Sequence, residues 1–144
     1  MDVYYKTVGV SELEFNRIAS LAEISPEIIS IEINKKGYIL GTEKRTPFAE
    51  LSMDYRKIFR QQIKDKLYKL HDLGIYHGDL TENNIVVDLS YDEIFLIDFG
   101  RSKFIKDITD DDLKENIFGE ESENLEDFLS AEIDQVDFIL SLSD

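Results

Sequence analysis

A histidine, an aspartate and an asparagine stand within residues 77–84, "HGDLTENN", and a further aspartate, Asp98, follows in "LIDFG". Between these segments lie two apolar runs, Ile85–Val87 and Ile94–Ile97, around the polar Ser90–Glu93, a pattern that reads as a β-hairpin. Asp79 and Asn84 thus stand at the hairpin's entry and Asp98 at its exit. Asp98 and Asn84 offer hard oxygen ligands of the kind Mg2+ takes. Asp79 faces the same space, where it can orient a hydroxyl or remove its proton. This set suits chemistry on a metal-bound nucleotide, which needs neutralised phosphate charge and a positioned acceptor more than covalent help. The competing reading is a set of polar turn residues capping strands, since Asp and Asn favour such positions. The joint spacing is too ordered for that. His77 reads as a buttress of the turn, and His71 as a helix-end residue without chemistry.

Other elements must hold these residues in place. The longest helical pattern is Met53–Leu73, where Tyr55, Phe59, Ile63, Leu67 and Leu70 form an apolar stripe and Gly74 stands at the expected C-terminal cap. It leads directly into the loop. Upstream, Val3–Val8 reads as a strand and Ser11–Ile24 as a helix with Ser11 and Glu14 at capping-box spacing. Ile28–Ile33 and Tyr38–Thr42 read as a hairpin. Residues 107–123 are polar and irregular, and Leu125–Leu142 reads as a last helix. The order gives an α+β fold.

The 144 residues suffice for one compact domain or two very small lobes, and 42% apolar content is that of a globular chain. Without cysteine, disulfides and thiolate metal sites are excluded, and a reducing, cytoplasmic setting is expected. "MDVYYKTVGV" has no signal-peptide character, and no apolar run is long enough for a membrane span. Net charge is −15, and its distribution is uneven: residues 107–144 hold 14 acidic side chains and one basic. Direct nucleic-acid binding is not expected of such a surface. The acidic segment reads as a solvated face, or else as a docking surface for a basic partner.

"HGDLTENN" with "LIDFG", and "LHDLGIYHGDL" before it, resembles the catalytic and metal-binding segments of the protein-kinase superfamily. The resemblance covers residues 51–104 well and both flanks loosely. Gly78 and Thr81 make the loop most similar to the small atypical kinase of the KEOPS complex, with RIO-type and aminoglycoside-phosphotransferase-like kinases as further relatives. It implies a reduced bilobal kinase-like fold, with residues 1–44 as a truncated N-lobe lacking the Gly-rich loop and 45–144 as a reduced C-lobe. It implies ATP and Mg2+ as cofactors, Asp79 and Asn84 as catalytic residues, and Asn84 and Asp98 as metal ligands. Lys6 would hold the α- and β-phosphates, Glu14 would be its ion-pair partner, and Thr42–Lys44, Glu43 included, would lie near the adenine. Asp137 in "EIDQVDFILSL" would be a structural acid on a buried helix. With Gly78 where ordinary protein kinases carry arginine, no activation-loop switch is expected.

Two functions fit this resemblance. One is a minimal Ser/Thr protein kinase-like phosphotransferase, or an ATPase within a complex. The other is a pseudokinase that binds nucleotide or a partner. The open sheet edge at Val3–Val8 invites a partner chain or a second copy.

Overall fold

The structure, a computed structural model, describes residues 2–114 and 121–141. β1 (Val3–Val8), β2 (Ile28–Asn34) and β3 (Gly37–Glu43) form an antiparallel sheet in the order β1-β3-β2. β3 is central, with Lys6 opposite Leu40 and Leu40 opposite Ile31, so β1 lies at one edge as expected. α1 (Val10–Leu21) joins β1 to β2. It starts earlier than the Ser11–Glu14 spacing suggests: Gly9 is the extended N-cap, its carbonyl accepts from Leu13 N–H, and no capping box forms.

The remaining elements are mostly helical. α2 (Met53–Lys57) and α3 (Arg60–Asp72) replace the single long helix expected from the stripe. The break comes at Ile58 and Phe59, whose N–H groups donate to the carbonyls three residues back, a tighter turn that ends the α-helical ladder. The apolar stripe survives the break, and Phe59, Ile63, Leu67 and Leu70 are all buried. β6 (Ile85–Asp88) and β7 (Glu93–Leu96) form the expected hairpin, extended by a two-residue strand β4 (Thr46–Pro47) against β6. β5 (Ile75–Tyr76) pairs with β8 (Lys103–Phe104). α4 (Asp110–Leu113) opens on a capping box between Thr109 and Asp112, within the segment expected to be irregular. α5 (Leu125–Ile139) is the last helix, and the expected end at Leu142 falls outside the described residues.

The main core joins α1, α3, α5 and the β6–β7 hairpin through Phe15, Ile63, Leu67, Ile85, Leu96 and Val136. Each fully buried side chain of this size contributes about 1.5–3 kcal/mol. The upper sheet has a much smaller core of its own, Val8, Leu13 and Leu40. α1 contributes to both cores, so the upper lobe is fixed to the lower through that helix. No helix among the described residues is long and apolar enough to cross a membrane.

Candidate active site

The loop between β5 and β6 is held from beneath by one buried carboxylate. Glu132 of α5, with no solvent exposure, accepts from His77 N–H (3.1 Å) and Gly78 N–H (2.9 Å) and lies 2.9 Å from His71 Nε2. A buried charge persists only when satisfied in this way. Sequence reasoning missed this role twice. Asp137, expected to be the structural acid, lies five residues on, about 140° around the helix. Its carboxylate instead pairs with Arg60 (2.5 Å) and Lys64 (2.9 Å) at the surface. His71, read as a residue without chemistry, is a partner of the buried acid.

His77 is fully buried and serves as the buttress its position suggested. Its Nδ1 accepts from Asp79 N–H (3.2 Å), which leaves the proton on Nε2 to donate to Ile97 O (2.9 Å). One imidazole thereby ties the backbone of Asp79 to the residue before Asp98. Ser102 Oγ donates to His77 O (2.7 Å) from the far side. Gly78 has φ +88°, and a Cβ there would lie 2.3 Å from Arg101 O, so the left-handed backbone and the crowding both require glycine.

Asn84 and Asp79 are in contact. Asn84 Nδ2 donates to Asp79 O (2.7 Å) and to Asp79 Oδ2 (3.2 Å), which leaves Asn84 Oδ1 with no hydrogen-bond partner among the described residues. Asn84 O accepts from Ile97 N–H (2.9 Å), so the start and end of the hairpin are bonded across it. A strut supports this corner: Arg56 donates to Ala49 O, Leu51 O and the Glu82 carboxylate, fixing the turn Glu82–Asn84 against the loop before α2.

Asp98 lies in the left-handed region (φ 62°), a conformation that costs a non-glycine residue energy and recurs at functional positions. Its Oδ1 accepts from Gly100 N–H (3.2 Å) and from Lys6 Nζ (3.0 Å), while Oδ2 has no hydrogen-bond partner among the described residues. Asn84 Oδ1 and Asp98 Oδ2 are thus two hard oxygens without a partner among the described residues, one at each end of the hairpin. That donor set fits Mg2+, which is commonly held by one or two protein oxygens with phosphates and waters completing the shell.

Lys6 arrives from the other lobe, 92 residues away in sequence. Its second partner is Glu12 (2.6 Å), not Glu14. Standing three, four and seven residues before the buried Phe15, Asn16 and Ala19, Glu12 falls on their face of α1. Glu14, about 200° further round, is exposed to solvent. Partial burial lowers the pKa of Lys6, but its hydrogen bonds to Glu12 and Asp98 and their charges outweigh this, and the net shift is upward. For Asp98, partial burial raises the pKa, and the bonds from Lys6 and Gly100 more than reverse it, so the carboxyl is held below its usual value.

Between the lobes, Tyr4, Pro26, Thr42 and Ile97 line both the narrow space beside Lys6 and Asp98 and an adjoining pocket of about 200 Å³. Glu43, Lys44 and Arg45 form part of that pocket's wall, where adenine was expected. The Glu43 carboxylate is engaged by Arg45 (2.6 Å). Arg101 is exposed, and Lys103 pairs with Asp112 (2.6 Å).

A two-lobed α+β fold with a strand lysine reaching the aspartate after the hairpin is that of the protein-kinase-like superfamily. Residues 42–134 match the lipopolysaccharide kinase (Kdo/WaaP) family, and the chain belongs to that family. It is 34% identical over 67 residues to the KEOPS complex subunit Bud32 of Pyrococcus abyssi, covering 46% of this chain and 30% of that protein. It is 31% identical over 81 residues to protein kinase MCK1 of Saccharomyces cerevisiae, covering 56% and 20%. The chain thus spans less than a third of these curated relatives. Among solved structures, the PK-1 kinase of Cydia pomonella granulovirus matches with a TM-score of 0.65 at 17% identity, over 98% of this chain and 59% of that one.

Proposed function

We propose that the protein is a phosphotransferase that moves the γ-phosphoryl group of Mg-ATP to a serine or threonine hydroxyl. The observation that carries this reading is that Lys6 bonds Asp98 while His77 and Asn84 O tie the Asp79–Asn84 loop to Ile97, the neighbour of Asp98. Asn84 Oδ1 and Asp98 Oδ2 would hold Mg2+, which when bound neutralises phosphate charge. Lys6 would contact phosphate oxygens. Asp79 would accept the hydroxyl proton as the acceptor oxygen bonds to phosphorus and the bond to the ADP oxygen breaks. Residues 1–44 would cover the nucleotide, with Glu43 beside the base, and 45–144 would supply the catalytic groups. A protein acceptor is inferred from the likeness to a yeast protein kinase. Likeness to a KEOPS subunit favours work within a complex or a dimer, with the open edge of β1 as one contact. A cysteine-free ATP-using chain suits a reducing cytoplasm.

The direct Lys6–Asp98 contact favours a second reading, a pseudokinase, because a cation already occupies one oxygen of a metal ligand. The deciding experiment follows radiolabelled γ-phosphate with Mg2+, testing autophosphorylation, generic protein acceptors and release to water. Transfer or hydrolysis that falls roughly 10²–10⁴-fold in Asp79→Asn supports catalysis. Nucleotide binding without turnover, unchanged in that variant, supports the pseudokinase.

A further inference from the structure

β2 is the other edge of the upper sheet, and its composition differs from that of β1. In "IISIEIN", Ile29, Ile31 and Ile33 are all exposed, Ile33 to 83%, with no proline or lysine to blunt the strand. Ile31 stands beside Leu40 and Lys6, and Ile33 beside Tyr38 and Val8, so both lie on the sheet face that α1 covers. α1 buries Val8 and Leu40 but leaves this outer row open. Leu21, 88% exposed, stands beside it at the end of α1. Leu21, Ile28 and Ile31 line a groove of about 740 Å³. An apolar row along an unpaired edge is a surface that proteins normally cover.

Charge indicates what covers it. Four glutamates and one arginine line the groove. Glu43 and Glu93 are compensated by Arg45 and Lys66, whereas Glu23 and Glu27 form no ion pair among the described residues. Glu32, also exposed and without an ion pair, projects from the opposite face of β2. An added strand would therefore meet isoleucines on one face and a carboxylate on the other, with further carboxylates at the groove's end. A second copy paired there would bring its own Glu23, Glu27 and Glu32 against these carboxylates and is poorly suited to that position.

We infer that β2 is a docking edge for an extended segment of a partner protein in which apolar and basic residues alternate, bound as a fourth strand. Backbone hydrogen bonds would supply pairing, the apolar residues would cover Ile31 and Ile33, and the basic ones would meet Glu32 and Glu27.

The probe is a capped peptide of alternating valine and lysine, long enough to span β2, compared with a valine–glutamate peptide and a lysine peptide interrupted by prolines. Binding is followed by fluorescence anisotropy, and its place by amide exchange. The valine–lysine peptide should slow exchange across residues 28–34 and not across 3–8. Ile33→Lys, Glu32→Lys and the proline-interrupted peptide should each weaken binding roughly tenfold. Because Ile33 and Glu32 are exposed, an unchanged melting temperature separates lost docking from lost folding. The inference is overturned by absent binding, by equal binding of the valine–glutamate peptide, or by protection confined to residues 3–8. A concentration-dependent dimer of the free protein, with residues 28–34 protected, also overturns it.

Discussion

The two walls of the cleft are built differently. The lower wall is a closed polar network: His77, Gly78, Asp79 and Asn84 are fixed by bonds that run to Glu132, Ile97 and one another. The upper wall presents Lys6 from an edge strand over a core of three side chains, held in place by ion pairs that solvent reaches. The lower wall fixes its groups without a ligand, whereas under the proposed function Lys6 on the upper wall would exchange its carboxylate partners for phosphate. The matched family region, residues 42–134, contains the lower wall and leaves β1, α1 and β2 outside it.

If that contrast is right, the largest stability loss should come from below. Glu132→Ala leaves two loop N–H groups and His71 without their buried acceptor and should destabilise the protein by about 3 kcal/mol, measured by urea unfolding. A loss no larger than that of a surface substitution would remove the distinction between the walls.

A smaller effect is expected above, and on function rather than folding. Glu12→Gln should raise the half-saturating concentration of Mg-ATP roughly fivefold by weakening the orientation of Lys6. Glu14→Gln should leave it within about a factor of two, since Glu14 faces solvent. Equal effects of the two would remove the preference for Glu12 as the partner of Lys6.

The smallest effect concerns pH. Asp98 has a depressed folded pKa, so its contribution exists above the usual carboxylate value of about 3.9 and is lost as pH falls through the lower folded value. Lys6 has a raised folded pKa, so its contribution exists below about 10.4 and is lost as pH rises through the higher folded value. Their pair is part-exposed and should be worth less than about 1 kcal/mol. The stability difference between the native protein and Lys6→Met should therefore stay flat from about pH 5 to 9 and shrink only beyond it. A strong slope near neutrality would mean that another group controls the pair.

Asp79, Asn84 and Asp98 were legible in the sequence because a short loop and hairpin bring them together wherever the rest of the chain goes. Lys6 could be suspected from its strand, but its partner could not. Glu12 and Glu14 are both within the first turns of α1, about 200° apart, and the face that packs towards β1 selects Glu12. Which face of α1 packs is a tertiary matter that capping-box spacing does not report. Glu132 was missed for a similar reason. "AEIDQVD" offers several acids, and only the rotation of α5 against α3 selects the one beneath the loop. The strands β4, β5 and β8 are each two residues long and leave no periodicity to read.

The central claim is that Asn84 and Asp98 hold a metal that joins ATP to this cleft. Its most direct test is the melting temperature of the native protein with ATP, with and without Mg2+, beside Asp98→Asn. A ligand that binds only the folded state must stabilise it as its concentration rises. Mg2+ and ATP together should raise the native Tm by on the order of 5 °C at saturating nucleotide, with most of the shift absent without Mg2+ or in Asp98→Asn. No shift in the native protein, or the same shift without Mg2+ and in the variant, would contradict the claim.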